Sequence, residues 1–168
     1  ANTSASETQY NYEDLIALAV MDWRDNTKSR VGVETPINLR YMAKRLEANI
    51  EFWENTDLRP GVLGQTQHYK GTSHFVEIKS DGSLKDHYMW SKIELNTDLL
   101  NSGYSQNTIQ RKVTIAHELG HAFGLSHRNN APSSIMCQYL GGTRTATYPS
   151  YSDCMAINHL YPEPKNPT

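Results

Sequence analysis

One eleven-residue stretch, His117-Glu118-Leu119-Gly120-His121-Ala122-Phe123-Gly124-Leu125-Ser126-His127, constrains this chain more than any other. On a helix, residues four apart lie about 40° apart around the axis, so His117 and His121 project from one face and can hold a single metal ion. Gly124, which can take positive φ, is placed to end that helix and turn the chain back, bringing His127 within reach as a third ligand. Three neutral imidazoles on zinc leave a fourth position open, which separates a catalytic site from a closed structural one. Glu118, between the helical histidines, is placed to take a proton from water at that position. A lone histidine is more often a core or surface residue than a ligand. Five specified residues in eleven, however, occur together by chance in a chain of this length on the order of once in a hundred thousand.

The 168 residues suffice for one domain with a substantial core. A formal net charge of −2 lacks the basic excess that nucleic acid or an anionic membrane surface calls for. No apolar run approaches the roughly 20 residues needed to span a bilayer. The opening Ala1-Asn2-Thr3-Ser4-Ala5-Ser6 has neither the charged start nor the apolar stretch of a signal peptide, so the chain reads as a mature or trimmed form. Two cysteines, Cys137 and Cys154, fit one disulfide in an oxidising compartment, with two free thiols as the alternative.

Residues 1–10 are polar and read as extended or loosely held. Asn11 is a candidate N-cap for a first helix to about Asn26, with Tyr12, Ile16, Ala19, Val20 and Trp23 at helical spacing. Strands are expected at Ile37 to Tyr41, Ala48 to Phe52, Val62 to Tyr69, His74 to Ile78 and Trp90 to Asn96, from alternation and the turn signals between them. Asp98 to Gln106 reads as a connection, and the histidine-bearing helix as starting near Asn107. Within that helix Ile115, Leu119 and Ala122 form a stripe toward the sheet, while Val113, His117 and His121 face a cleft. Ser150 to Asp153 is a helix start, and Pro162 its stop.

The pattern H-E-x-x-H-x-x-G-x-x-H resembles that of the metzincin zinc peptidases. Ser134-Ile135-Met136 is similar to the family's methionine turn, which makes Met136 a hydrophobic floor beneath the metal and not a ligand. Lys92 to Asn96 and Ser150 to Tyr161, the latter similar to S-x-D-D-I-x-x-I-x-x-L-Y, point to the matrixin (matrix metalloproteinase-like) branch and its small bacterial secreted members. The resemblance implies an α/β (α+β) zincin-like fold: a twisted, mixed five-stranded sheet with two helices, a cleft, and a small C-terminal subdomain with one helix. Residues 1–168 would be a single catalytic domain, with 1–127 carrying the sheet and zinc helix and 128–168 the methionine turn and last helix.

The chain departs from the matrixin pattern in several places. Arg128 follows the third histidine where Ser or Thr is usual, and Ser152 stands at the first aspartate of the helical pair. Gln138 and Leu140 replace the proline and tyrosine that wall the specificity pocket. By resemblance that pocket involves Val113, Gln138, Tyr139 and Leu140, and the small apolar Val113 suggests apolar residues after the scissile bond. Cys154 stands at a buried isoleucine of the pattern, on a helix that packs near the methionine turn in the family, so a Cys137–Cys154 disulfide is expected. His68, His74 and His87, with Asp81 or Asp86, fall where relatives hold a second, structural zinc, but the family's aspartate spacing and calcium-binding glycine loop are missing. One catalytic Zn2+ is therefore expected, the other histidines are read as surface residues, and no motif supports Ca2+.

The resulting expectation is a secreted, monomeric zinc endopeptidase acting on proteins or peptides, with His117, His121 and His127 as ligands and Glu118 as general base. The substrate would lie along an exposed sheet edge at residues 62–69 or 74–78. Two alternatives stand beside it: a zinc-dependent amidase on a non-protein amide, which shares the metal chemistry, and an inactive zinc-binding module, against which the intact Glu118 argues.

Overall fold

A computed structural model of the chain describes residues 11–42, 48–102, 108–138 and 143–162. The expectations for residues 1–10, for Asn107 as helix start and for Tyr139 and Leu140 as pocket walls lie outside those residues. The first helix, α1 (Tyr12–Arg24), begins where Asn11 accepts a hydrogen bond from the Asp14 amide and has Glu13 and Asp14 in its positive first turn. A short α2 (Thr27–Val31) follows, stopped by Gly32 at φ 77°.

Four strands form one sheet: β1 (Ile50–Glu54), β2 (Gly64–Lys70), β3 (His74–Val76) and β4 (Trp90–Leu95), in the order β1-β4-β2-β3. β1 lies parallel to β4, and the other two pairings are antiparallel. β4 alternates strictly, with Ser91, Ile93 and Leu95 buried and Trp90, Lys92 and Glu94 on the outer face. Helix α3 (Thr97–Asn101) follows, then α4 (Thr108–Ala122), and α5 (Tyr151–Leu160) closes the described chain. The core sits between α1, α4 and the sheet, with Leu15, Ala19, Trp23, Ile93, Ile115 and Leu119 fully buried.

The mixed α/β architecture matches the expected class, with four strands in place of five among the described residues. Ile37 to Tyr41 forms no strand and joins no ladder among the described residues; Ile37 and Leu39 do pack on the core, and the Leu39 carbonyl accepts from Arg24. Alternation there reports a half-buried side, with no strand partner among the described residues. The polar start of the 98–106 connection is helical as α3, because Asn96 caps it by accepting from the Leu99 amide.

The expected Cys137–Cys154 disulfide is not formed, and both residues are buried free thiols. The Cys137 sulfur lies near the carbonyls of Asn129 (3.9 Å) and Gln138 (3.7 Å). Burial, with Asp153 beside it, pushes the Cys154 thiol up to about 12, so it stays protonated and acts as a small apolar filler. The tie between the methionine turn and α5 is made instead by Asp153. Its carboxylate accepts from Ser134 Oγ and the Ile135 amide on the turn, and from the Ser150 amide and hydroxyl in its own capping box.

Candidate active site

Helix α4 presents Thr114, His117, Glu118 and His121 to one cleft, a spacing that fills a single arc of the helix surface. The helix ends in a two-bond closure: Gly124, at φ 96°, donates to the His121 carbonyl (2.8 Å), and Leu125 donates to the Gly120 carbonyl (3.0 Å). The hydroxyls of Tyr88 and Tyr161 satisfy the free carbonyls of Ala122 (2.8 Å) and Phe123 (2.9 Å). This turn sends the chain back so that His127 comes alongside His121.

Each helical histidine is fixed through its far nitrogen. His117 Nδ1 donates to the Ile135 carbonyl and His121 Nδ1 to the Leu125 carbonyl, both at 2.7 Å. A carbonyl can only accept, so both rings carry their proton on Nδ1 and turn a bare Nε2 lone pair inward. His121 Nε2 then stands 3.2 Å from His117 Nε2 and 3.0 Å from His127 Nε2. Lone pairs facing one another at that distance repel unless a cation lies between them. Tetrahedral zinc with nitrogen at about 2.0–2.1 Å separates its ligand atoms by about 3.3 Å, so the donor set fits zinc. Burial lowers the pKa of all three rings, that of His127 to about 4, which keeps them neutral as ligands must be. Among the described residues this is the one group of three potential metal ligands.

Met136 is fully buried, with its sulfur against Gly120 of α4. A Cβ built at Gly120 would overlap the Met136 sulfur and come within 3.2 Å of Trp23 Cζ2, so the residue between Leu119 and His121 has to be glycine for the turn to seat there. The turn is compact: the Cys137 amide donates to the Ser134 carbonyl, and the Met136 amide to the Ser134 hydroxyl.

Glu118 is 5 % exposed. Thr66 on β2 donates its hydroxyl to Glu118 Oε2 (2.7 Å) and also reaches the Glu118 carbonyl (3.0 Å). Burial outweighs the lowering effects of the Thr66 bond and the Arg144 charge and lifts the Glu118 carboxyl to about 7. β2 crosses so close that a Cβ at Gly64 would stand 2.9 Å from Glu118 Cγ and 3.1 Å from its Oε1. Gly64 and Thr66 therefore set where the carboxylate sits, and neither was marked by the sequence motif; Gly64 carried only the signal of a glycine inside a strand pattern.

The remaining sequence-derived residues divide. Gln138 lines the cleft, its amide and side chain paired with the Asn129 side chain at 2.9 and 2.7 Å. Val113 turns into the hydrophobic core, and its neighbour Thr114 lines the cleft in its place. The second zinc set is not assembled: His68 is buried and bonded to Ser91 (3.0 Å), not a surface residue, while Asp86 pairs with Lys70 and Asp81 accepts from Ser83. His74 and His87 are exposed.

Two of the departures from the family pattern, Arg128 and Ser152, meet. Arg128 donates to Ser152 Oγ (2.9 Å) and lies 4.0 Å from Asp153, while its amide donates to the Met136 carbonyl (2.9 Å). A family model described as Matrixin matches residues 2–162 of the chain. No curated protein and no solved structure gives a significant match.

Proposed function

The chain belongs to the matrixin family of zinc-dependent metallopeptidases, and from that premise we propose that it is a secreted endopeptidase that opens internal peptide bonds of proteins with Glu118 as its general base. One observation carries the reading: a buried, hydrogen-bonded carboxylate stands next to three inward-facing imidazole nitrogens at the wall of one open cleft. His117, His121 and His127 would hold the metal through Nε2. Zinc in such a site acidifies water and polarises a carbonyl oxygen.

The protein's own residues do the rest. Glu118 takes a proton from the attacking water and returns it to the departing amine, so one carboxylate serves as base and then as acid. Its raised proton affinity suits both halves of that task near neutral pH. Thr66 occupies Oε2, and Gly64, having no side chain, leaves the approach to Oε1 uncovered. Ile135 and Leu125 keep two imidazoles in the ligand tautomer throughout. A substrate strand finds its backbone partners on the free edge of the sheet, at the β3 side of the order β1-β4-β2-β3. In this reading residues 1–168 act as one catalytic domain whose upper part, 1–127, and lower part, 128–168, meet at the third ligand.

Glu118→Ala tests the assignment. Turnover of a protein substrate such as casein is expected to fall by roughly 10²-fold to 10⁴-fold, with one zinc per chain retained by elemental analysis. Near-normal turnover in the variant would sink the base assignment. Hydrolysis of a cell-wall amide but of no protein by the native enzyme would favour the amidase alternative.

A further inference from the structure

The three metal ligands are not fixed alike. His117 and His121 each have a carbonyl on Nδ1, whereas among the described residues no hydrogen bond holds the second nitrogen of His127, the most exposed of the three. The place of His127 therefore depends on its backbone. A planar trans peptide keeps neighbouring Cα atoms about 3.8 Å apart, so the ligand cannot shift without its neighbours. Both neighbours are tied. The Arg128 amide donates to the Met136 carbonyl (2.9 Å) on the methionine turn, and the Ser126 hydroxyl donates to the Gly82 carbonyl (2.8 Å).

The second tie reaches a different part of the molecule. Gly82 sits at the tip of a hairpin closed by the pairing of Ile78 with Leu84 and by the Lys79 amide on the Ser83 carbonyl (2.7 Å). Asp81 stiffens the tip by accepting from the Ser83 amide and hydroxyl (2.9 and 2.6 Å). Residues 79–83 are exposed, and among the described residues Ser126 makes the only hydrogen bond from them to the rest of the protein. The approach is close: Gly82 takes φ 83°, and a Cβ there would stand 3.5 Å from both Cβ and Oγ of Ser126. Ile78, Asp81, Gly82 and Leu84 line the same cleft as the ligands. One side-chain hydroxyl thus joins a wall of the cleft to the third ligand.

The next step rests on the three-histidine zinc site described above. We propose that Ser126 is a positioning residue that couples the third zinc ligand to the hairpin wall of the cleft. The Gly82 carbonyl is exposed and can turn to water when the bond is broken, so the bond adds little to overall stability. Its effect falls instead on where His127 stands when the metal arrives. Coupling of this kind is reciprocal: the factor by which the bond tightens zinc is the factor by which zinc tightens the bond. A merely structural hydroxyl would stabilise the fold without linking the two.

The test uses the full chain, metal-free and zinc-loaded. Zinc affinity is measured by chelator competition, and the hairpin by hydrogen exchange of a peptide spanning residues 78–85, read by mass spectrometry. Ser126→Ala is expected to weaken zinc binding by about 10-fold, the lower end for residues that support a ligand, while Ser126→Thr, which keeps the hydroxyl, stays within about 3-fold of the native chain. In the native chain zinc is expected to slow exchange in the hairpin by about the same 10-fold, and in Ser126→Ala most of that protection is lost. Native zinc affinity in Ser126→Ala, or equal protection of the hairpin by zinc in the two proteins, overturns the coupling and leaves the zinc site intact. A native chain that binds no zinc overturns both.

Discussion

The two halves of the metal site are held by different physics. His121 hangs from a helix whose inner face is apolar packing: Trp23, Ile115 and Leu119 are fully buried, and the Leu125 carbonyl that fixes its ring comes from the same helix's own end. His117 takes its fixing carbonyl from Ile135, on a turn with little regular structure around it, and that turn is tied to α5 by one buried carboxylate, Asp153. In the first half the stabilisation is spread over many contacts, each small. In the second, four donors converge on a single side chain. The lesson is that an ordinary core truncation and the loss of one polar residue should injure this protein in different ways.

Asp153→Ala gives the largest expected effect. It strands buried donors from Ser134, Ile135 and Ser150 and is expected to cost about 3–5 kcal/mol in denaturant unfolding, in the range for removing a buried, multiply bonded charge. Zinc affinity, measured by chelator competition, should fall by about 10-fold to 100-fold as the Ile135 carbonyl loses its support. Ile115→Val in the packed half should cost only about 0.5–1.5 kcal/mol and leave zinc affinity alone. Equal effects of the two substitutions on zinc would erase the distinction between the halves.

Gly64→Ala probes the wall on which the two halves share Glu118. The added methyl would stand 2.9 Å from Glu118 Cγ, so the carboxylate has to shift to admit it. Since a displacement of about 1 Å at a catalytic group can cost on the order of 10²-fold, kcat should drop by about 10-fold to 100-fold. Stability should fall by no more than about 1–3 kcal/mol, the usual cost of overpacking. A variant with native kcat would show that Gly64 does not position the base.

A pH series separates a third group. His68 is buried against the Tyr88 ring, with Ser91 on Nδ1, and its pKa is lowered to about 4 by burial and by His121. A histidine with a depressed native pKa binds its proton more readily when unfolded. Its contribution is therefore complete above about pH 6.5 and lost as the pH falls toward about 4. Replacing it, as His68→Gln, should flatten the acid side of the stability curve relative to the native chain over that window and leave neutral pH less affected. Parallel curves for the two proteins would show that His68 is not held neutral by the fold.

How much of this was legible depends on what kind of interaction was involved. The ligands, the glycine turn and the capped start of α5 repeat local rules, and His117, His121, His127, Gly124 and Ser150 could be placed by spacing alone. Val113 was not, although the helix geometry contained the answer. At 100° per residue Thr114 falls inside the arc from His117 to Glu118, and Val113 lies about 40° outside it. Partners from other elements left no mark at all: nothing local says that Thr66 will reach Glu118, or that Ile37 and Leu39 pack on the core without a ladder among the described residues. Asp153 looked like an ordinary capping residue because its bonds to the methionine turn join residues 18 and 19 positions apart.

The smallest expected effect is that of reducing agent, and it bears directly on the C-terminal half. Two cysteines at the methionine turn and on α5 suggest a covalent staple there, yet the half is already joined by the Asp153 bonds. Cys137 lies among carbonyls of its own loop, and Cys154 is a buried thiol raised to about 12, too protonated to attack a disulfide or an oxidant. Titration of the denatured, unreduced protein should therefore read two thiols per chain, and the folded protein should react slowly because both sulfurs are buried. Thermal unfolding with and without reductant should coincide. A bridge closing this loop would instead contribute about 3 kcal/mol, a shift of a few degrees that the same scan resolves. Absence of titratable thiols would transfer the role of Asp153 to a disulfide and lower the expected cost of Asp153→Ala accordingly.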